Sequence, residues 1–133
     1  MTKRILVIED QEDLRGVLRD LFTSSGYTVI EAVDGATGVA RAKSDRPDII
    51  LMDIQMPVID GYEATRQIKA DPDLSSIPIV AVSSFAMKGD EEKARAAGCD
   101  DYVTKPYSPI QLLRMVRSYL GDKANQPSVI ANG

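Results

Sequence analysis

The stretch "IILMDIQMPVIDG", residues 49–61, decides the fold class of this chain. Four apolar residues lead directly into Asp53, and the turn-forming residues Pro57 and Gly61 follow soon after. A short apolar run bounded by turn residues is typical of a buried strand in a parallel sheet. The sequence therefore predicts that a carboxylate stands where a buried strand ends and a loop begins.

Strand-like and helix-like segments alternate along the chain. Strands are predicted at residues 4–9, 27–32, 48–53, 78–83 and 101–104. The intervening segments fit helices, first on the apolar stripe Leu14, Val17, Leu18, Leu21 and Phe22, then at about residues 36–43, 62–70, 87–97 and 109–120. This alternation predicts a doubly wound α/β fold, in which a five-stranded parallel sheet carries helices on both faces. Ligands of such folds bind outside the carboxyl ends of the strands.

The composition narrows the class of protein. The 133 residues are expected to form one domain of residues 1–121, and the aperiodic residues 122–133 are predicted to be a disordered tail. A net charge of −4 without a basic run argues against direct binding of nucleic acid. No segment resembles a signal peptide or a membrane span, and a single cysteine fits a reducing compartment. We therefore expect a cytoplasmic protein without membrane insertion.

The chain contains no histidine. This absence excludes Ser-His-Asp catalysis, Cys-His catalysis and zinc bound by histidine. It also means that any histidine that donates a phosphoryl group must belong to another protein.

Acidic residues end two of the predicted strands. Glu9 and Asp10 close the first strand and Asp53 closes the third. If these strands are neighbours, three carboxylates meet at one edge of the sheet, where like charges disfavour joint ionisation. Each acid alone would be an ordinary solvated loop residue, but the combination favours a bound cation. Oxygen ligands without histidine or cysteine predict Mg²⁺, with Mn²⁺ as the alternative.

Two further strand ends carry groups that suit a phosphoryl group. Ser83 offers a hydroxyl at the end of the fourth strand, and Lys105 offers an ammonium after the fifth. A hydroxyl, a lysine and a divalent cation around Asp53 could each engage one phosphoryl oxygen. Aspartate is a known phosphoryl-accepting nucleophile. Taken alone, Ser83 would be a turn residue and Lys105 a surface lysine, but together they predict phosphoryl transfer to Asp53.

Four ordered motifs resemble those of response-regulator receiver domains. They are "VIED" at residues 7–10, "MDIQMPVIDG" at 52–61, "VSSFAMKGD" at 82–90 and "YVTKP" at 102–106. The resemblance covers about residues 3–121, and the segment 83–106 is most similar to stand-alone, single-domain regulators of the bacterial cell-cycle type. It implies a flavodoxin-like strand order 2-1-3-4-5 in a two-component or phosphorelay protein. The expected donor is a sensor histidine kinase or a histidine phosphotransfer protein.

The resemblance also implies roles for the residues of the acidic site. Asp53 would accept the phosphoryl group, while Asp10, Asp53 and the main-chain carbonyl of Gln55 would bind the metal. Glu9 would support the direct ligands from behind or act on the metal through water. Lys105 would contact the phosphoryl group, and relatives have a cis peptide bond between this lysine and Pro106.

The remaining implied roles concern switching and dephosphorylation. Ser83 would be the switch hydroxyl that moves inward, followed by the ring of Tyr102. Gln55 and Phe85 occupy the positions that flank the hydrolytic water in relatives. Pro57, Gly61 and Pro106 would shape the loops. Ser83 stands where many relatives have threonine, and Ser84 where alanine or glycine is usual.

The predicted fourth and fifth helices mark an expected output surface. Helix four is polar and rich in alanine, so it should be weakly anchored and free to shift. This fits what the resemblance implies, namely that the face formed by helix four, strand five and helix five reports phosphorylation and binds a downstream protein; a weak homodimer is a further possibility. Helix five has two apolar stripes, Leu113, Val116, Leu120 and Leu112, Met115, Tyr119; the second could bind a partner or belong to a broad buried face.

Other functions fit the sequence less well. An Asp-nucleophile phosphatase needs a second aspartate at the position of Gln55, and a flavodoxin-like flavin binder would not carry the acidic loop "EDQED" at residues 9–13. A phosphorylation-independent pseudo-receiver adaptor would lack Asp53, Ser83 or Lys105. The chain is therefore not expected to be an enzyme beyond assisting its own phosphoryl transfer and dephosphorylation.

Overall fold

The computed structural model describes residues 2–56, 58–83 and 89–121. Its ten elements are β1 (Arg4–Ile8), α1 (Glu12–Ser24), β2 (Thr28–Ala32), α2 (Gly35–Asp45), β3 (Ile49–Asp53), α3 (Gly61–Ala70), β4 (Ile79–Ser83), α4 (Asp90–Ala97), β5 (Asp101–Thr104) and α5 (Pro109–Leu120). The strands form one parallel sheet in the order β2-β1-β3-β4-β5. The predicted fold class and strand order are therefore confirmed.

Alternating side chains of the buried strands supply two hydrophobic cores. Leu6 of β1 and Ile50 of β3 point to one face, which is covered by α2, α3 and α4. Ile5 and Ile49 point to the other face, which is covered by α1 and α5. Because both faces are buried, β1, β3 and β4 are almost entirely apolar, as expected for central parallel strands.

The register of the sheet sets the positions of the polar strand ends. Ile8 pairs with Met52, so the next residues along each strand, Glu9 and Asp53, emerge side by side. Asp53 pairs with Val82, and the residue after Val82, Ser83, pairs with Thr104. The carboxyl ends of four strands therefore meet at one edge of the sheet.

Most predicted boundaries agree with the structure, and α2 differs for a local reason. Residues 36–43 were expected to be helical, whereas the helix is Gly35–Asp45. It begins earlier because the side chain of Asp34 accepts a hydrogen bond from the Thr37 amide at 2.7 Å. It ends at Arg46, which has a left-handed φ of 46° and donates its amide to Ala42 O.

The two helices of the expected output surface differ in how firmly they are packed. The buried side chains of α4 are Ala94 and Ala97, so this helix has small apolar anchors, as predicted. Its predicted beginning at residue 87 lies outside the described residues. In α5, Leu112 is buried together with Leu113, Val116 and Leu120, so the two predicted stripes form one broad buried face. Met115 and Tyr119 pack on the margin of that face and are half-buried.

None of the helices in residues 2–56, 58–83 and 89–121 combines the length and apolar character needed to cross a membrane.

Candidate phosphoryl-acceptor and metal site

Three carboxylates meet at the carboxyl edge of the sheet. One side-chain oxygen from each of Glu9, Asp10 and Asp53 lies within 4.8 Å of the other two. Glu9 and Asp53 are buried, with 2% and 3% of their surfaces exposed, while Asp10 is exposed to solvent. The structure thus brings together the three acids that the sequence predicted to cluster.

Lys105 reaches this cluster from the loop after β5. Its Nζ lies 3.2 Å from Glu9 Oε1 and 3.5 Å from Asp53 Oδ1. Its amide donates to Ser83 O at 2.7 Å, which fixes the start of the loop, and the Lys105–Pro106 peptide bond is cis, as the resemblance implied. One ammonium group therefore faces two buried carboxylates, with a third acid close by.

This imbalance of charge is reflected in the pKa of Asp53. Burial, and then the negative charge of Glu9, raise that pKa to about 7 against the opposing charge of Lys105. Hydrogen bonding with Glu9 and Asp10 also favours the protonated form. The fold alone therefore disfavours the ionised form of Asp53. A cation bound beside it would restore full ionisation.

Both side-chain oxygens of Glu9 already have partners. Oε1 is paired with Lys105, and Oε2 accepts from the Gln11 amide at 3.1 Å. Arg15 holds the adjoining backbone, since its Nη1 donates to Glu9 O at 2.9 Å while its Nε contacts Glu31 Oε1 at 3.1 Å. Sequence reasoning missed Arg15. The available signal was a basic residue in the first helix, close after the acidic pair.

The loop after Asp53 is shaped by close backbone contacts. The Gln55 amide donates to Asp53 Oδ1 at 3.3 Å, and the Gly61 amide donates to Ile54 O at 3.0 Å. A Cβ on Gly61 would lie 2.5 Å from Asp53 O, so a larger residue would displace the loop. Gly61 therefore has the close packing that its predicted loop role requires. Pro57, which was assigned a similar role, lies outside the described residues.

Ser83 and Gln55 are linked at the floor of the site. Ser83 has none of its surface exposed, and its Oγ accepts a hydrogen bond from Gln55 Nε2 at 2.9 Å. The sequence placed Gln55 beside the path of a hydrolytic water but did not anticipate this bond. Phe85 and Ser84, which belong to the same predictions, lie outside the described residues.

Two tyrosines lie on the β5 and α5 side of the sheet, and Tyr107 is the one close to the acidic site. Tyr102 packs partly against the core under α3 and α4, and it lines a groove of about 330 Å³ together with Tyr107 and Met115. The Tyr107 hydroxyl is buried without a hydrogen-bond partner among the described residues. Burial and the charges of Glu9 and Asp53 raise the pKa of Tyr107 to about 12. Tyr107 was not predicted, although an aromatic residue just after Lys105-Pro106 was a possible signal.

The profile of the family described as "Response regulator receiver domain" matches residues 5–117. The chain belongs to this family. It is 44% identical over 122 residues to the polar-differentiation response regulator DivK of Brucella ovis, and the match covers 92% of this chain and 99% of that protein. The predicted resemblance to single-domain regulators is therefore confirmed.

Solved structures of other receiver domains share the fold and show divalent metals. The receiver domain of a sensor histidine kinase from Pseudomonas aeruginosa PAO1, described with a coordinated magnesium ion in its active-site cleft, is 37% identical with a TM-score of 0.84. That match covers 91% of this chain and 99% of the solved chain. The Mn²⁺-bound response regulator Rcp1 is 28% identical with a TM-score of 0.75, over 87% and 90% of the two chains.

The donor set of this receiver domain fits a divalent cation. The clustered ligand atoms are carboxylate oxygens, and within residues 2–56, 58–83 and 89–121 one ammonium, that of Lys105, faces them, which leaves the group with excess negative charge. Hard oxygen donors of this kind suit Mg²⁺ and Mn²⁺ rather than a softer metal.

Proposed function

We propose that this receiver domain accepts a phosphoryl group on Asp53 in a magnesium-dependent reaction and then signals by contact with another protein. Response regulators receive phosphoryl groups from histidine kinases. Since this chain has no histidine, the donor imidazole would belong to a kinase or to a histidine phosphotransfer protein. The observation that carries the proposal is the buried Asp53 carboxylate, which faces two further acids and the ammonium of Lys105.

The metal would be held by Asp10, Asp53 and the main-chain carbonyl of Gln55. Glu9 would act through water, because its two side-chain oxygens already accept from Lys105 and the Gln11 amide. When bound, Mg²⁺ supplies positive charge that stabilises the Asp53 carboxylate and the incoming phosphoryl oxygens. Mn²⁺ is the alternative.

Asp53 would attack the phosphorus atom of the donor phosphohistidine. The P–N bond breaks, its electron pair stays on the donor imidazole, and a new P–O bond forms on Asp53. Lys105 Nζ, 3.5 Å from Asp53 Oδ1, is placed to neutralise one phosphoryl oxygen. The Ser83 hydroxyl would donate to another. The same groups would support slow hydrolysis of the acyl phosphate, with Gln55 and Phe85 setting its rate.

Movement of Ser83 would reach the output face through the sheet. Ser83 pairs with Thr104 of β5, and Tyr102 lies two residues earlier on that strand. The neighbouring α4 is anchored by alanines, so little buried apolar surface opposes its displacement. The face formed by α4, β5 and α5 would therefore change shape and bind a downstream protein target, and a weak homodimer would form through the same face.

The composition supports a cytoplasmic location for this protein and a protein rather than a nucleic acid as its partner. The net charge is −4, which disfavours contact with phosphate backbones. The single cysteine, Cys99, is buried and unpaired, as is usual for proteins of a reducing compartment.

Intact-mass measurement after incubation with acetyl phosphate and Mg²⁺ tests the proposal. We expect a gain of one phosphoryl group, about 80 Da, that disappears when a chelator is present. Asp53→Ala should abolish the gain. The matched control is Asp20→Ala, since the Asp20 side chain is 80% exposed on α1, away from the site. A gain that persists in Asp53→Ala would show that another residue is the acceptor, and no gain at all would favour a phosphorylation-independent adaptor.

A further inference from the structure

The side-chain amide of Gln55 ties the loop after β3 to the hydroxyl at the end of β4. Gln55 Nε2 donates to Ser83 Oγ at 2.9 Å, across 28 positions of sequence. We propose that Gln55 is a positioning residue that holds the Ser83 hydroxyl in its resting orientation and opposes its turn towards a phosphoryl group on Asp53. This inference rests on the proposed function, because it assigns a resting contact to the switch hydroxyl.

Gln55 contacts both groups whose states would change on phosphorylation. Its main-chain amide donates to Asp53 Oδ1 at 3.3 Å, while its side chain bonds Ser83. The backbone contact keeps the start of the side chain fixed beside the acceptor carboxylate. A single residue is therefore placed to link the state of Asp53 to the orientation of Ser83.

The bond is well placed to resist movement of Ser83. Serine side chains move by changing between staggered χ1 rotamers, and such a step carries Oγ farther than a hydrogen bond can stretch. Ser83 has no exposed surface, so solvent cannot readily replace the lost amide donor. A turn of the Ser83 side chain to another χ1 rotamer would therefore break the Gln55 contact, so this contact favours the resting orientation.

Beryllofluoride, a non-covalent mimic of the phosphoryl group, provides the test. Binding in the presence of Mg²⁺ would be followed by NMR titration of wild type, Gln55→Met, Ser83→Ala and the double variant. Methionine has nearly the same length as glutamine but cannot donate a hydrogen bond. A net hydrogen bond of typical strength corresponds to about a two- to tenfold change in affinity. We expect Gln55→Met to bind beryllofluoride more tightly by that factor.

The Ser83→Ala background separates positioning from other effects of residue 55. Without the hydroxyl, Gln55→Met should leave beryllofluoride affinity unchanged, because there is no resting bond to lose. In a Ser83→Thr background, which retains a hydroxyl, Gln55→Met should again tighten beryllofluoride binding. Gln67→Met is the matched control, since Gln67 is exposed on α3 and its side chain contacts Glu63. The side-chain amide resonance of Gln55 supplies a separate readout, and it should shift on Ser83→Ala in the metal-free protein.

The outcomes distinguish this inference from the proposed function. Unchanged or weaker beryllofluoride binding by Gln55→Met, or an equal change in the Ser83→Ala background, would overturn the role of Gln55 while leaving Asp53 as acceptor. Failure of wild type to bind beryllofluoride with Mg²⁺ would overturn the proposed function and this inference together.

Discussion

Two lysine–carboxylate clusters lie at opposite edges of the same sheet. At the amino end of β4, Lys69 Nζ donates to Asp100 Oδ2 at 3.2 Å, Ile77 O at 2.8 Å and Ser75 O at 3.1 Å. Asp100 Oδ2 also accepts from the amide of Ile79 at 2.9 Å. In this cluster one positive charge meets one negative charge, and the three hydrogens of the ammonium have three acceptors.

In the cluster at the carboxyl edge, the described carboxylates outnumber the ammonium group that faces them. Lys105 faces Glu9 and Asp53, each about 97% buried, and Asp10 lies beside them. The pKa of Asp53 is raised to about 7 as a result of burial and the Glu9 charge. The first cluster therefore stabilises the fold, whereas the second holds excess negative charge that a bound cation would neutralise.

The largest expected effect is a stabilisation on removing the charge of Asp53. Its pKa is about 7 in the folded protein, against about 3.9 when unfolded, so the folded state loses stability as pH rises from about 4 to 7. Asp53→Asn should therefore raise the free energy of unfolding at pH 8 by up to about 4 kcal/mol. The gain should vanish below about pH 4, where the carboxyl is protonated in both states.

Urea unfolding without divalent cations at several pH values would measure this difference. Asp100→Asn is the matched control at the balanced cluster and should not stabilise the protein at any pH. Equal stability of wild type and Asp53→Asn at pH 8 would mean that the carboxyl-edge cluster carries no stored repulsion.

The next effect separates the two lysines by function. Lys105→Ala should slow phosphoryl uptake from acetyl phosphate about a hundredfold, because a charged donor to the phosphoryl oxygens is lost. Lys69→Ala should leave that rate unchanged while lowering the free energy of unfolding by about 1–3 kcal/mol. Phosphorylation rates from intact mass and stabilities from urea unfolding would be measured on both variants. If Lys69→Ala slowed uptake as much as Lys105→Ala, the functional contrast between the clusters would be lost.

The smallest expected effect concerns the hydrogen bond that connects α5 to the loop carrying Asp100, at the amino edge of the sheet. The Tyr119 hydroxyl has one hydrogen to donate, and its two acceptors are Asp100 O at 3.2 Å and Asp101 Oδ2 at 3.1 Å. Tyr119→Phe should cost about 1 kcal/mol of stability, the value of one net hydrogen bond, without altering phosphorylation. Thermal unfolding monitored by circular dichroism would detect this loss. A change in phosphoryl uptake instead would connect the two edges through α5.

Several features of the site could be predicted from the sequence because they depend on the local pattern of apolar and polar residues. The apolar run before Asp53 identifies a central strand, and strand ends in a parallel sheet share one edge. Glu9, Ser83 and Lys105 follow strand ends in the same way, so their convergence could be predicted. The early start of α2 was also accessible, since Asp34 precedes the helix as an N-cap residue, but this signal was overlooked.

Contacts that depend on side-chain rotamers could not be predicted from the sequence in this way. Packing chooses the side-chain rotamers behind three such features. These are the hydrogen bond from Gln55 to Ser83, the hydrogen bond from Arg15 to Glu9 O and the buried hydroxyl of Tyr107. Neighbouring residues can indicate that Arg15 or Tyr107 lies near the site, but they do not specify these rotamers. The balanced pairing of Lys69 with Asp100, 31 positions apart, belongs to the same class.

Backbone periodicity and residue chemistry are local properties, so they specify the succession of strands and helices along the chain and the kinds of group at the strand ends. The order of the strands within the sheet came from the family resemblance. Which charges are balanced depends on how the folded chain brings these groups together. Burial, distance and hydrogen bonding between segments remote in sequence set the pKa of Asp53 and the partner of each ammonium group.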